Sequence, residues 1–398
     1  MRKLLQINVT ANWGSTGKIA EDIGCLLIKH GWESWIAYSR GKPESKSRLI
    51  RIGSKIDMQL HGLQTRLFDN HGLASGRTTN QFISRIKEIN PDIIHLHNIH
   101  GYYLNYPILF DYLKKWGGPV VWTLHDCWPF TGHCAYYDFV GCHRWQSHCL
   151  NCPQLSNYPA SFWKDRSFDN YIDKQSAFLN CPNLTLIPVS DWLNNELSKS
   201  FLSGYKSITI HNGINIDTFR PKISLKNYYS ESKTILGVAS VWDRRKGFEE
   251  FVKLRKQLPP NYRIVLVGLS KRQISELPEG ITGIQRTDNV EQLVDLYNSA
   301  DVFVNPTLED NFPTTNLEAL ACGTPVITYQ TGGSIEAVSD NAGFIVPKFD
   351  IKSLSDKIRI ICENHPFKME SCRERAEKLY NKESVFTKYI ELYTSLLS

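Results

Sequence analysis

No run in this chain approaches the roughly 20 consecutive apolar residues that a helix needs to cross a bilayer, so a spanning helix is excluded and any membrane contact has to be peripheral. Low-complexity tracts are missing as well. With 41% hydrophobic and 22% charged residues, the composition is that of a folded globular protein, and disordered architectures can be set aside. A strong charge of one sign is also lacking: 46 Lys+Arg against 40 Asp+Glu leave +6, which suits anionic ligands or a bilayer surface but does not imply nucleic acid. The opening MRKLLQINVTANWG has a basic pair and an apolar run of only about six residues with no small-residue cleavage site. It reads as a first strand, and the protein is expected to be cytoplasmic, with any membrane contact limited to the inner face.

What is present points to a doubly wound α/β protein. At 398 residues the chain exceeds one ordinary core and suits two domains. Short apolar runs alternate with longer amphipathic ones, twice over. Strands are expected at 3–9, 33–39, 92–98, 119–125, 184–190 and 206–212, and again at 234–240, 262–268, 281–286, 301–306, 325–330 and 343–347. The polar, proline-containing stretch between them reads as a linker. This gives a first Rossmann-like domain over 1–215, a linker over 216–232, a second such domain over 233–381, and a terminal helix over 382–398. Two open parallel sheets place ligands at the carboxyl ends of their strands, where helix N-termini offer amide donors.

The most informative segment is NPTLEDNFPTTNLEALACGTPVITYQTGGSIEAV, Asn305 to Val338. It runs strand, acidic loop, helix, strand, glycine turn, helix. Pro313 fits a first helical turn, Thr314 and Thr315 are expected to supply capping hydroxyls, and Gly323 with Pro325 stops the helix. Asp310 precedes this helix and Glu318 lies within it, with seven residues between them. Carboxylates accept hydrogen bonds from sugar and ribose hydroxyls, while the helix start offers donors to phosphate. Thr331-Gly332-Gly333 follows the next strand, and its backbone can approach a ligand closely.

This segment resembles the Glu, seven residues, Glu motif of glycosyltransferase family 4, retaining enzymes of the GT-B fold, in which two Rossmann-like domains face each other across a cleft. Here the first acid is Asp310, one methylene shorter. The resemblance implies that Asp310, with Asn311 and Phe312, holds the donor sugar, that Glu318 binds the ribose, and that Gly332 and Gly333 belong to the donor pocket.

VASVWDRRKGFEEF, Val238 to Phe251, puts cations after a strand, where they can neutralise a departing diphosphate. It is similar to the family's Arg, five residues, Lys, Gly pattern. Lys246 matches, Ser240 stands at the arginine position, and Arg245 or Arg244 is offered in its place. ANWGSTGKIAEDI follows the first strand. It is no P-loop, because Asn12 and Ile19 replace residues that motif requires; it resembles the family's glycine-containing first loop, with Gly14, Ser15 and Gly17 as donor-side candidates. His125 closes a strand and corresponds to the family histidine near the donor sugar; His97 is a weaker second. Trp13, Trp122, Trp128, Tyr136, Tyr137 and Trp145 are candidates for a sugar-stacking surface or for core.

Ten cysteines are unevenly spread: Cys127, Cys134, Cys142, Cys149 and Cys152 fall in one stretch. The Cys149/Cys152 gap lets one turn present two thiolates to a metal, and Cys134 and Cys142 would complete a structural zinc site, with Cys127, His133, His143 or His148 as substitutes; disulfides and unpaired thiols are the competing readings.

The resemblance covers nearly the whole chain. It implies transfer, with retention, from a UDP- or GDP-sugar to a hydroxyl of a glycan or lipid-linked oligosaccharide in bacterial capsule, O-antigen or exopolysaccharide assembly. It also implies a terminal helix returning to the first domain, and no catalytic metal. A sugar-nucleotide epimerase of the same fold and a non-catalytic carbohydrate-binding relative are the alternatives.

Overall fold

The computed structural model describes residues 1–222, 224, 231–338 and 340–398. The chain forms two compact units, Met1–His211 with Phe386–Ser398, and Asn212–Val385. The expected linker contains residues 223 and 225–230, which lie outside the described residues.

In the first unit, β1 (Lys3–Ile7), β2 (Glu33–Tyr38), β3 (Arg48–Arg51), β4 (Ile93–Leu96), β5 (Val120–Leu124), β6 (Leu184–Pro188) and β7 (Lys206–Ser207) form one sheet in the order 3-2-1-4-5-6-7. All its pairs are parallel. The central strands are mostly apolar because helices cover both faces: Leu4, Leu5, Ile7, Ile93, Ile94 and Val120 are fully buried. The helices are α1 (Gly14–Lys29), α2 (Lys55–Phe68), α3 (Gly76–Ile89), α4 (Tyr106–Trp116), α5 (Ser167–Phe178) and α6 (Asp191–Leu197).

The second unit carries β8 (Lys233–Val238), β9 (Tyr262–Val267), β10 (Ile281–Ile284), β11 (Val302–Asn305), β12 (Val326–Tyr329) and β13 (Gly343–Val346), a parallel sheet in the order 10-9-8-11-12-13. Its helices are α7 (Phe248–Arg255), α8 (Lys271–Ser275), α9 (Val290–Ser299), α10 (Thr314–Ala321), α11 (Ile351–Asn364) and α12 (Met369–Tyr380). A last helix, α13 (Lys382–Leu396), rejoins the first unit from Phe386. There the Tyr393 hydroxyl lies 2.7 Å from His95 Nδ1 and the Tyr389 hydroxyl 3.0 Å from Thr123 Oγ1, anchoring the chain end to β4 and β5.

Strand order reverses between β1 and β4 and again between β8 and β11. The loops after these four strands therefore diverge to opposite faces of their sheets and leave a crevice, which is where open α/β sheets bind ligands.

Two expectations need correction. The strand expected over 206–212 pairs as a strand only at Lys206–Ser207; beyond it Ile208 N and Ile210 N still donate to Leu186 O and Pro188 O at 3.0 and 3.1 Å, in the irregular manner of a sheet edge. The edge strand β3 went unrecognised because its sequence, RLIR, is charged at both ends.

Candidate active site

In the second unit, the turn after β8 and the loop after β11 are locked together by backbone geometry. Gly247 has φ +81°, and a Cβ there would meet Pro306 O at 2.2 Å, so only glycine lets the two segments lie this close. Leu308 N donates to Arg245 O at 2.8 Å, and Arg245 Nη1 donates to Glu309 O at 3.1 Å. Trp242 fastens the other end of the turn, its Nε1 donating to Val267 O at 2.8 Å.

This frame presents Lys246 Nζ to Asp310 Oδ2 as a close ion pair, with side chains 23% and 14% exposed. Both charges are therefore within reach of a ligand and are held by rigid backbone. The glycine turn joins them: Gly333 N donates to Asp310 O at 3.2 Å, and Gly332 adopts φ +45° at the start of a 3₁₀ turn, Gly332–Ala337. Underneath runs a buried polar network in which Asn305 Nδ2 donates to Asn316 Oδ1 (2.8 Å) and Asn316 Nδ2 donates to Ser334 O (3.1 Å). It fixes the acidic loop, α10 and the glycine turn to one another.

Asn311 and Phe312 are buried. Phe312 packs on Tyr380 and its carbonyl accepts from Asn212 Nδ2 at 3.2 Å, so these two residues offer a ligand their backbone rather than their side chains. The expected threonine caps are not used: Pro313 takes the N-cap position, and no side chain caps α10. Arg245, offered for the missing arginine, spends one guanidinium nitrogen on Glu309 O. Glu318, one turn into α10, accepts from the Tyr297 hydroxyl at 2.7 Å. Burial and the adjoining carboxylate push that phenol far up, which keeps it a donor.

In the first unit, α1 begins at Gly14 (φ +67°), with Ser15 exposed beside it. Gly17 is different: it is buried, and a Cβ there would meet Thr10 Oγ1 at 2.6 Å, so its role is to let α1 pack on the loop after β1. Asn8 ties this loop to the one after β4, donating to Thr10 O at 2.8 Å and accepting from Asn98 N at 3.3 Å.

His125, half-buried after β5, is oriented by a chain of hydrogen bonds. Gln6 Nε2 donates to Ala20 O (2.7 Å), which leaves Gln6 Oε1 to accept from His97 Nε2 at 3.0 Å. His97 Nδ1 is then the acceptor, and His125 Nε2 donates to it at 3.1 Å. Burial holds both rings neutral, His97 well below the usual histidine range and His125 down to about 4 despite Asp126 beside it. The proton of neutral His125 sits on Nε2, so Nδ1 carries the lone pair. Asp126 accepts from Trp128 N (3.0 Å) and pairs with His100 Nε2 (2.8 Å). Gln6 and Asn8 escaped sequence reasoning, although an amide inside an apolar strand was the available signal.

Cys134, Cys142, Cys149 and Cys152 line one small cavity with Thr131, Tyr137 and Trp145. No disulfide joins any two cysteines among the described residues. Of the six candidate stacking aromatics, Trp122, Trp128, Tyr137 and Trp145 are core residues; Trp13 is 60% exposed beside Gly14.

Comparison with known proteins bears on the same segments. The family model for Glycosyltransferase Family 4 matches residues 17–218, and that for Glycosyl transferases group 1 matches residues 220–379. An Escherichia coli K12 protein named for colanic acid biosynthesis as a glycosyl transferase, WcaC, is 24% identical over 99% of this chain and 100% of its own. The N,N'-diacetylbacillosaminyl-diphospho-undecaprenol alpha-1,3-N-acetylgalactosaminyltransferase of Campylobacter jejuni is 25% identical over 46% of this chain and 53% of its own. Among solved structures, Anabaena HepE in complex with UDP-glucose superposes with a TM-score of 0.70 at 14% identity, over 99% of this chain and 100% of that one. With one family model spanning half of the sequence and its companion most of the remainder, on two parallel α/β units of the GT-B type, the chain belongs to glycosyltransferase family 4 and is a glycosyltransferase.

Proposed function

We propose that this glycosyltransferase takes a sugar from a UDP- or GDP-linked donor and passes it, with retention, to a hydroxyl of a glycan or lipid-linked oligosaccharide in bacterial surface polysaccharide assembly. The names of the Escherichia coli and Campylobacter jejuni relatives and the UDP-glucose bound by the Anabaena neighbour support the substrate classes. The observation that carries the reading is the Lys246–Asp310 pair, set on locked loops beside the Gly332-Gly333 turn.

Without donor, each charge answers the other. An arriving diphosphate shares Lys246 and the N-terminal amides of α10, and sugar hydroxyls take up the acceptor capacity of Asp310. As the glycosidic bond breaks, negative charge grows on the departing phosphate, and a fixed ammonium stabilises it without reorganisation. Attack from the face of the leaving group lets phosphate oxygen draw off the acceptor proton. No protein nucleophile is required, unlike in the two-carboxylate glycosidases. Lys246 and the helix amides carry the diphosphate charge, so no catalytic metal is expected. Glu318 holds the ribose, and His125 stands near the donor sugar.

The test is incubation with a panel of UDP- and GDP-sugars, with and without a lipid-linked acceptor, reading the product anomer by NMR. Transfer with retained configuration is expected. Epimerised donor, or no nucleoside diphosphate binding by calorimetry, overturns the reading.

We also propose that the first unit rests on the inner membrane surface. Helix α2 is amphipathic in reverse: it buries His61, Gly62 and Thr65 and exposes Ile56, Leu60, Leu63 and Phe68. A soluble helix turns such a stripe inward; an interfacial one turns it to lipid. Phe162 N donates to Arg66 O at 2.8 Å, which brings exposed Phe162 and Trp163 to the end of that helix. Lys55, Arg66 and Lys164, all exposed, match anionic headgroups.

A further inference from the structure

Between Phe130 and Ser167 the only helix or strand among the described residues is the 3₁₀ turn Arg144–Gln146. A segment this long without secondary structure has few backbone hydrogen bonds of its own and needs another source of order. Part of it is aromatic packing: the Trp145 ring centroid lies 5.1 Å from that of Phe130 and 4.8 Å from that of Tyr137, and the Tyr137 hydroxyl donates to Glu196 Oε2 at 2.7 Å. Against this cluster lie Cys134, Cys142, Cys149 and Cys152, which line one cavity together with Tyr137 and Trp145.

Three features there are suited to negative charge on sulfur. Gly132 N donates to Cys149 Sγ at 3.1 Å, and Gly132 is pressed into place, since a Cβ would meet Ser167 O at 2.0 Å. The Cys134 thiol and the Cys152 sulfur are hydrogen-bonded to each other. Lys174, fully buried on α5, donates to Trp128 O (2.7 Å) and to Thr131 O (2.8 Å), and Thr131 lines the cysteine cavity. A buried ammonium is costly unless an anion compensates it. Asp69 and Asp126 act on this lysine as well, and four thiolates on one divalent ion would add a net charge of about −2.

We propose that Cys134, Cys142, Cys149 and Cys152 bind one zinc ion as a structural tetrathiolate, with the Gly132 amide and Lys174 compensating its charge. In such a centre the sulfurs stand about 3.8 Å apart around a zinc about 2.3 Å from each. Among the described residues, the groups already closed to within 4.8 Å do not include three of these sulfurs, so uptake draws the segment inward and couples metal binding to its folding. The site braces the loop following His125 and Asp126 and takes no part in transfer.

The experiment uses the full chain purified in reducing buffer without chelator. Elemental analysis is expected to give about one zinc per chain. Cobalt(II) exchange is expected to give the intense near-ultraviolet thiolate-to-metal bands and red ligand-field bands of a tetrahedral four-sulfur site. Cys149→Ser and Cys142→Ser should lose most of the metal, and Cys322→Ser, buried in the second unit, should keep it. Should the serine variants not fold, the wild-type cobalt spectrum still decides. A wild-type protein without zinc, whose four thiols react freely at neutral pH without a chelator, overturns the proposal. So does a disulfide between any two of the four in the freshly purified chain.

Discussion

Lys246 and Asp310 belong to loops that follow different strands, β8 and β11, yet their side chains form an ion pair because Gly247 lets one loop lie on the carbonyl of Pro306. Both side chains are partly exposed, so the pair contributes little to stability, about 0 to 1 kcal/mol. Its use is in the reaction. Lys246→Ala is expected to lower kcat/KM by about 100- to 1,000-fold and to weaken nucleoside diphosphate binding, with the melting temperature nearly unchanged. Asp310→Asn should lose turnover while keeping diphosphate affinity. Steady-state kinetics beside calorimetry separates the two, and equal diphosphate affinity in wild type and Lys246→Ala would remove the lysine from the donor site.

Gly247→Ala tests the frame rather than the charges. The added methyl meets Pro306 O at 2.2 Å on a residue at φ +81°, so backbone has to move. A destabilisation of about 2 kcal/mol is expected from strain at this φ and the displaced loop. Turnover should fall as well, since Lys246 is the preceding residue. Urea denaturation together with kinetics checks it; an alanine variant equal to wild type in both would show that the loops have room.

The hydrogen-bond chain Gln6–His97–His125 predicts a tautomer. ¹⁵N NMR should find neutral His125 protonated at Nε2, and His97→Leu should abolish that preference by removing its acceptor. Because His97 positions His125, its loss should cost about 10- to 100-fold in turnover, the usual scale for removing an orienting partner. A His125 already protonated at Nδ1 in the wild type would break the assignment.

These three cases show what could be read in the sequence. The strands were legible because both faces of each sheet are covered, which makes the central strands predominantly apolar runs. The loops at the two strand-order reversals were legible through their glycines and charges. The Lys246–Asp310 pairing was not, since no local pattern records that residues so far apart meet. Trp122, Trp128, Tyr137 and Trp145 misled for a related reason: an aromatic ring serves a core and a sugar surface equally well, and only burial decides. Thr314 and Thr315 carried a capping signal, but the N-cap position falls one residue earlier, on Pro313.

Acid should unfold the first unit. Burial holds His61 down at about 4 and His71, His95 and His97 well below the usual histidine range. Above pH about 6.5 these groups are neutral in both states and cost nothing. Below it the unfolded chain binds protons that the folded chain refuses, so unfolding free energy falls with falling pH, by up to about 1.4 kcal/mol per pH unit for each histidine until its folded pKa is reached. His133 is buried, but its bond to Asp69 raises it, so it adds stability as pH falls toward about 6.5 and leaves the slope below that to the other four. Urea titrations at pH 7.5, 6.0 and 5.0 should show the loss, and His61→Gln should reduce the slope. A flat profile from pH 7.5 to 5.0 contradicts the buried neutral state.

The exposed stripe of α2 makes a claim about where the enzyme works. Ile56, Leu60 and Leu63 follow the spacing of one helical face, and Phe68, Phe162 and Trp163 extend it. Moving each large apolar side chain from water into the acyl boundary is worth about 1.5 to 3 kcal/mol, or at least about tenfold in partitioning. The basic residues Lys55, Arg66 and Lys164 add about 1 kcal/mol each on an anionic surface. Sedimentation with phosphatidylglycerol vesicles should therefore capture the protein, neutral phosphatidylcholine vesicles should capture much less, and salt should weaken both the binding and the difference. Leu60→Glu and Trp163→Glu should each cut vesicle binding by about tenfold or more while leaving turnover on a water-soluble acceptor as it was. Were both variants to partition like the wild type, the stripe would have to face something other than lipid.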